Sequence, residues 1–584
     1  MTKPVARGMK VPEGGMDRAT SPWMRLARFA REVVPVTGGL VKKAPMTTAL
    51  DDLFPTDAQI PPGVRLPASL EQREYLVGGE LRTWAGELNP VLSPVFLRTP
   101  EGLQQKVIGA TPLLTSRESL DALAAAVKAY DLGRGVWPRL KVAQRIEHVE
   151  RFLVAMRAQR TAVVNLLMWE IGKTQPDSEK EFDRTVDLIV ETIRALKELD
   201  HTSSRFVQEQ GIMAQIRRGP VGVALCMGPY NYPLNETFST LFPALLMGNT
   251  VVFKPAKFGV LLVRPLLEAF RDCFPPGVIN VIYGRGRETV GALMESGQVD
   301  LFAFIGTHKG ASELKRMHPR PHRLKAVLGL DAKNPAIILE DADLDNAVKE
   351  CLTGTLSFNG QRCTALKLLV VHRSIVDAFL AKFTAAVDTL KPGMPWDPGV
   401  AVTPLPEPGK AAFLQGLVDD AVSKGARVVN ATGGRSSRSF YAPTVVYPVT
   451  GGMRLASEEQ FGPVVPVMVF DDDAEAVRLV VESHFGQQLS LLGKDSARIG
   501  RFIDAFSNQV GRINLNCQCQ RGPDTFPFNG RKDSAEGTLS VADALRVFSI
   551  RTLVATKTTP ANTTLVQSIL TRRESDFLTT DFLF

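Results

Sequence analysis

The sequence predicts an α/β fold with parallel sheets, and three observations lead to it. From residue 221 onward, short apolar runs alternate with longer helical ones, the pattern of strands buried on both faces and joined by crossover helices. Several of those runs end on turns that carry Gly, Asn or Lys, the end of a parallel strand where ligands bind. The chain has 584 residues, more than one hydrophobic core usually organises, so two or three domains are expected.

The elements can be justified in order. Residues 75–81 read Tyr-Leu-Val-Gly-Gly-Glu-Leu, apolar residues around a Gly-Gly pair, which predicts a hairpin at the start of the folded part. Thr115 and Glu118 form a capping box ahead of the alanine-rich run 120–130. Helical periodicity continues from about 140 to 199, with breaks near Gly172 and Pro176. Strand-like runs follow at 221–227, 250–253, 278–283, 300–305 and 324–330, with helical runs at 235–246, 259–274, 288–295 and 309–317 between them. This is a Rossmann-type, dinucleotide-binding arrangement, and it puts Asn231, Lys254, the glycines of 284–286 and Gly306 beyond the carboxyl ends of the strands. A second α/β region spans 334–508. The polar, Thr-rich tail 557–584 ends in the apolar stretch 577–584, for which a neighbouring subunit is the expected packing surface.

Composition excludes several function classes. The net charge is +8, but residues 1–45 hold nine Lys/Arg against three Asp/Glu, so the remainder is nearly neutral and carries no nucleic-acid footprint. In this basic arm Trp23, Leu26, Phe29 and Val33 approximate one helical face, with Arg25, Arg28 and Arg31 between them. Two readings stand: an organelle-targeting or membrane-surface helix, or a disordered Pro- and Gly-rich extension preceding a start at Met46. No apolar run reaches the roughly 18 residues a spanning helix needs. Six scattered cysteines fit free thiols in a reducing, cytoplasmic compartment. Cys517-x-Cys519 has no second pair, and no metal is expected.

The stretch Asn359-Gly360-Gln361-Arg362-Cys363-Thr364 places a thiol on a glycine-containing turn after a helical run. A lone cysteine is ordinarily a small buried hydrophobe. Here it has company: Asn231 in Pro229-Tyr230-Asn231-Tyr232-Pro233, Lys254 in Phe253-Lys254-Pro255-Ala256, and Glu459 in Glu458-Glu459-Gln460-Phe461-Gly462-Pro463. In order and spacing these segments resemble the aldehyde dehydrogenase superfamily, over residues of about 70 to about 556. The resemblance implies a division into a basic N-terminal extension (1–66), an NADP-binding domain (67–201 and 221–333), a catalytic domain (334–508), oligomerisation segments (202–220 and 509–556) and the tail. Segments 202–220 and 509–520 would build a protruding sheet in a homodimer or homotetramer.

The resemblance also assigns roles. Cys363 would be the nucleophile, since an aldehyde carbon must become tetrahedral and electron-rich before it can release hydride. The Asn231 amide and the Cys363 backbone N–H would form the oxyanion hole. Where the family carries Glu-Leu-Gly-Gly-Lys, with Glu as general base, this chain reads Gly329-Leu330-Asp331-Ala332-Lys333. Asp331, on the same strand face as position 329, is either a replacement base or a cap for the strand end or a backbone donor. Lys254, Ala256 and Lys257 would meet the adenosine ribose, and Lys257, where NAD-preferring relatives often have Glu, points to NADP. Gly286, Gly291, Gly306 and Thr307 resemble turns against the cofactor, while Glu459 and Phe461 would sit at its nicotinamide end.

The segment Arg521-Gly522-Pro523-Asp524-Thr525-Phe526-Pro527-Phe528 resembles the non-phosphorylating, NADP-dependent glyceraldehyde-3-phosphate dehydrogenases. There arginines and a tyrosine grip a phosphate; the matching positions are Arg521, Arg362, Tyr232 and Arg184. The resemblance thus implies a small phosphorylated aldehyde as substrate and NADP as cofactor. Two rivals remain: a CoA-acylating semialdehyde dehydrogenase, whose branch also lacks the Glu, and a degenerate, non-catalytic scaffold.

Overall fold

The computed structural model describes residues 50–66 and 69–582. The amphipathic pattern of the basic arm lies outside the described residues. Two large sheets organise the molecule. In the first, strands run in the order Ala535–Glu536, Lys325–Gly329, Leu301–Ile305, Val223–Met227, Thr250–Lys254, Ile279–Val281, Glu74–Val77 and Glu80–Thr83. The five that alternate with helices are mutually parallel, and the flanking pairs are antiparallel. They are short and wholly apolar at most positions because helices cover both faces. Strand order reverses at Val223–Met227, which has Thr250–Lys254 on one side and Leu301–Ile305 on the other. A ligand crevice is expected at such a switch point, beyond the strand ends.

The second sheet has the order Arg427–Val428, Thr444–Tyr447, Val464–Phe470, Leu368–His372, Pro335–Ile338, Gln488–Leu492 and Arg512–Leu515. All its pairings are parallel except that of the short edge strand Arg427–Val428. The thiol segment enters this sheet just before Leu368–His372.

Local chemistry explains the element boundaries. Gly78 and Gly79 both take positive φ (66° and 84°) at the tip of the Glu74–Val77/Glu80–Thr83 hairpin, as its two-residue turn requires. Thr115 and Glu118 cap the helix Ser116–Tyr130. Gly172, at φ 67°, closes the helix Arg160–Ile171, and Thr174 with Pro176 opens Gln175–Ser203. The run 259–274 is not one helix: Pro265 lies inside a 3-10 segment, Leu261–Leu266, that precedes the helix Leu267–Cys273.

Three expectations are corrected. The small antiparallel sheet pairs Ile212–Pro220 with Phe206–Glu209 and with Ser549–Lys557, not with 509–520. The nine residues Ser549–Lys557 match the nine of Ile212–Pro220 in length, whereas Arg512–Leu515 pairs in parallel with Gln488–Leu491 in the second large sheet. The folded body begins before residue 67, because Phe54, Ile60 and Val64 are buried and Trp169 Nε1 donates to the Val64 carbonyl at 2.7 Å. The tail returns to its own chain: Leu578 is buried, and Gln215 Nε2 donates to the Thr579 carbonyl at 2.6 Å. Among the described residues no helix is long and apolar enough to cross a membrane.

Candidate active site

The thiol sits on a strained turn. Phe358, Asn359 and Gly360 take φ of 50°, 55° and 70°, three consecutive left-handed residues at the end of the helix Leu344–Leu356. The bulky Phe358 adopts such a conformation only when its surroundings hold it. The hold is visible: the Asn359 side chain donates to the Thr403 carbonyl at 3.1 Å and accepts from the Thr403 amide at 3.0 Å. A Cβ on Gly360 would lie 2.7 Å from the carbonyl oxygens of Gly462 and Thr355, so only glycine fits. The turn delivers a half-buried Cys363 whose carbonyl accepts from Asn334 Nδ2 at 2.9 Å and Lys367 Nζ at 2.8 Å. Burial pushes the thiol up and nearby Glu236 adds to that, while Lys367 and Arg521 favour the thiolate.

Asn231 follows the strand Val223–Met227 and reaches the same turn. Its Nδ2 donates to the Gln361 carbonyl at 2.8 Å, two residues before Cys363. Among the described residues the Cys363 amide makes no hydrogen bond, so this N–H and the second Nδ2 hydrogen remain available to an oxyanion. Behind Asn231 lies a buried ion pair that the sequence reading missed. Lys173 donates to Glu181 and, at 2.7 Å, to the Asn231 carbonyl, and it stands 3.7 Å from the centre of the Tyr232 ring. Glu181 in turn accepts from the amides of Leu234 and Asn235, at the start of the helix Asn235–Leu246.

The crevice at the switch point holds most of the expected cofactor residues. Lys254 is buried, its ammonium bonding the Pro255 carbonyl at 3.4 Å and, among the described residues, no other acceptor, and burial pushes it down to about 8. Ala256 is half-buried beyond it and Lys257 is exposed. Gly286 opens the helix Gly286–Glu295 with free space on its Cα, but Gly291 is buried inside that helix, where a Cβ would lie 3.8 Å from the Met317 sulfur. Gly291 therefore serves helix packing and not a turn at the crevice. Gly306 lies where a Cβ would strike the Phe304 ring, and Thr307 caps the helix His308–Met317 by accepting from the Gly310 amide.

Asp331 Oδ2 accepts from the His308 amide at 2.6 Å and bonds its ring Nδ1 at 2.7 Å. Asp331 thus binds a backbone donor, the expected alternative to a base. Glu459 bonds Lys367 Nζ at 2.6 Å and the Ala332 amide at 3.2 Å, so Lys367 links the Cys363 carbonyl to this carboxylate. Phe461, at φ 45°, packs its ring edge-on to Tyr230.

The arginines form a cluster on the other side of the thiol. Arg184 makes a two-pronged bond to Asp524, at 2.8 and 2.6 Å. Burial opposes the charge of Asp524, but Arg184 holds its carboxyl below the usual range. Arg521 reaches the same carboxylate at 3.3 Å, donates to the Leu539 carbonyl at 2.9 Å and stacks on Phe528. Arg362 is held by the carbonyls of Thr353 and Gly354. Both Arg184 and Arg362 act electrostatically on the half-buried Tyr232, whose hydroxyl desolvation pushes above its usual range. Among the described residues Arg521 Nη1 and Arg362 Nε are buried without a hydrogen bond, although Arg521 Nη1 lies 3.0 Å from the Glu236 carboxylate. A cluster of guanidinium groups suits an anionic ligand.

Comparison with known proteins bears on this geometry. The sequence profile of the aldehyde dehydrogenase family matches residues 97–554. The chain belongs to the aldehyde dehydrogenase family. It is 33% identical over 462 residues to the NADP-dependent glyceraldehyde-3-phosphate dehydrogenase of Streptococcus equinus, covering 77% of this chain and 92% of that one. It is 30% identical over 505 residues to the enzyme so named from Arabidopsis thaliana, covering 84% and 97%. Among solved structures, the NADP-dependent glyceraldehyde-3-phosphate dehydrogenase of Bacillus halodurans C-125 complexed with NADP superposes with a TM-score of 0.76 at 30% identity, covering 84% of this chain and all of that one. Betaine aldehyde dehydrogenase of Staphylococcus aureus in complex with NAD+ gives 0.76 at 26% identity, covering 85% and 97%.

The protein is thus an NAD(P)-dependent aldehyde dehydrogenase, and its crevice fits the cofactor. Among the described residues Lys254 is a buried lysine without a carboxylate partner, which a ribose hydroxyl would satisfy, and a Cβ on Gly286 would meet nothing within 4 Å, which leaves room for a phosphate. When bound, the nicotinamide supplies the hydride acceptor. From the chain, the fold brings the Cys363 thiol, the Cys363 amide and the Asn231 side chain to one turn, an arrangement in which a thiol could attack an aldehyde carbon and two N–H donors could receive the charge on its oxygen. Lys367 and Arg521 favour the thiolate electrostatically. Position 329 offers no carboxylate, although a Cβ there would meet only ordinary contacts, Ile305 at 3.4 Å and Leu539 at 3.6 Å. Lys173, Glu181, Asn334, Lys367, Glu236 and Asp524 escaped the sequence reading. Only Asp524 had a signal, its place in the Arg521–Phe528 motif.

Proposed function

We propose that this enzyme oxidises D-glyceraldehyde 3-phosphate to 3-phosphoglycerate with reduction of NADP, through a thiohemiacetal and a thioester on Cys363 and without forming an acyl phosphate. The observation that carries this reading is the arginine cluster: Arg184 and Arg362 act on Tyr232, Arg521 acts on the Cys363 thiol, and among the described residues Arg362 Nε makes no hydrogen bond while Arg521 Nη1 meets the Glu236 carboxylate at 3.0 Å. A phosphate accepts from guanidinium groups in parallel pairs, which an uncharged aldehyde does not. Lys257 supports NADP, because an exposed cation at the adenosine side attracts a 2′-phosphate that an acidic residue would repel. Relatives named for this activity support the same reading. The role would be NADPH supply beside glycolysis, in a cytoplasmic homo-oligomer assembled through the Ile212–Pro220 sheet, whose Val207, Leu553 and Ile550 are exposed.

Gly329 favours a second reading, in which CoA and not water takes the acyl group. With Asp331 Oδ2 already bonded to His308, water activation by this residue would fall to Oδ1. The test is NADPH formation from the phosphorylated aldehyde with NADP or NAD, in the presence and absence of CoA. Turnover without CoA, with NADP strongly preferred, is the expected result. Strict CoA dependence would replace the first reading by the second, and no turnover of the phosphorylated aldehyde would remove both.

A further inference from the structure

Glu236 is an acidic side chain of the arginine cluster to which the function above gives no role. It lies in the first turn of the helix Asn235–Leu246, five residues after Asn231, and is buried. Its Oε2 stands 3.0 Å from Arg521 Nη1, with both side chains about 5% exposed. The contact is a buried charge pair, so an anion that approaches Nη1 meets the Glu236 carboxylate there. Three guanidinium groups here face two carboxylates: Asp524, committed to Arg184, and Glu236, which faces the donor a ligand would use.

Resting on the phosphate-pocket reading above, we propose that Glu236 is a specificity-determining residue that competes with the anionic group of the substrate for Arg521, so that a dianion enters only as Glu236 takes up a proton. The physical reason is proximity in a dry site. A dianion brought to Arg521 Nη1 would stand within a few ångströms of the Glu236 carboxylate, and like charges so placed and desolvated repel strongly. Proton uptake by the carboxylate removes the repulsion and turns Glu236 into a donor to the same anion.

The surrounding charges favour that proton. Burial pushes the Glu236 carboxyl above its ordinary range, and Arg521 and Arg184 pull it back only in part. Glu181 and Arg184 face it from the helix Gln175–Ser203, Arg521 and Asp524 from the loop before Arg531–Lys532, and the Cys363 thiol from the nucleophile turn. On the remaining neighbours, Arg145 bonds the far end of Glu236's own helix at the Leu246 carbonyl, and Asp543 pairs with Arg546 near the surface. The pocket would therefore admit anionic aldehydes with an affinity that falls as pH rises, a dependence that uncharged aldehydes do not share.

Two measurements test this. In the first, kcat/KM is determined for D-glyceraldehyde 3-phosphate and for glyceraldehyde with the wild type, E236Q and E236L. The ratio of the phosphorylated to the uncharged substrate is expected to rise about tenfold in both variants. An unchanged or lower ratio would overturn the proposal. In the second, sulfate, a dianion that does not titrate near neutrality, is bound to the wild-type NADP complex in buffers of different ionisation heat. Net proton uptake is expected, and calorimetry showing none would overturn the proposal even if the variants fail to fold. Sulfate reads the pocket directly. If the phosphorylated aldehyde proves not to be a substrate, proton-linked sulfate binding would still support Glu236 while the proposed function fails.

Discussion

Replacing Lys173 by Met is the most informative perturbation, because it removes the charge that the active site is built around without touching the thiol. The ammonium is fully buried and has three partners: the Glu181 carboxylate, the Asn231 carbonyl at 2.7 Å and the Tyr232 ring at 3.7 Å. Breaking a buried ion pair by deleting one partner costs about 3–5 kcal/mol, since it strands the other charge. Glu181 would not be wholly stranded. It keeps the amides of Leu234 and Asn235, at 3.1 and 3.2 Å, and the N-terminal end of a helix favours a negative charge. The expected loss is therefore at the lower edge, about 3 kcal/mol.

A second substitution isolates that term. K173M/E181Q removes the stranded charge while the Gln oxygen can still accept from the two amides. The double variant should therefore recover about 1–2 kcal/mol relative to K173M alone, in denaturant unfolding followed by fluorescence of the buried tryptophans Trp137 and Trp169. Both variants should lose kcat by ~10²-fold, because the Asn231 loop loses its tether and the oxyanion donor shifts. If K173M is as stable as K173M/E181Q, the buried charge is not what the pair balances. If kcat survives in K173M, Lys173 does not position Asn231.

Three further outcomes are expected. C363S should lower turnover by ~10³ or more, and intact-mass measurement during turnover should detect an acyl adduct on the wild type and none on the variant. K257E should lower the NADP-over-NAD ratio of kcat/KM by about tenfold, measured at low ionic strength where a charge on an exposed side chain is least screened. Burial pushes Lys333 down from 10.5 to about 7, so between those values the unfolded lysine carries a proton that the folded one has lost. Stability should therefore rise with pH across that window by at most about 1.4 kcal/mol per pH unit, and K333Q should flatten the slope in urea titrations at pH 7 and 9.

What could be read without coordinates was whatever depends on neighbours in sequence. The helix at 235–246 needed only its own apolar run, the hairpin at 78–79 only its glycines, and the helix start at 116 only Thr115 and Glu118. The thiol turn, Asn231 and the buried Lys254 sat in short motifs, and the fold brings Asn231 and Cys363 to one turn. What stayed hidden depends on distance along the chain. Lys173 lies 58 residues before the carbonyl it holds, and nothing near it in sequence distinguishes it from a solvated lysine. Ser549–Lys557 pairs with Ile212–Pro220 across more than three hundred residues, a choice made by matching lengths in space. Asp331 shows the same limit from the other side. Its alternation with Gly329 suggested a base, but a helix N-terminus supplied by His308, through a different strand's turn, was near enough to claim the carboxylate. A free amide at a helix start is an obligatory donor, and a carboxylate within reach will satisfy it before it serves water.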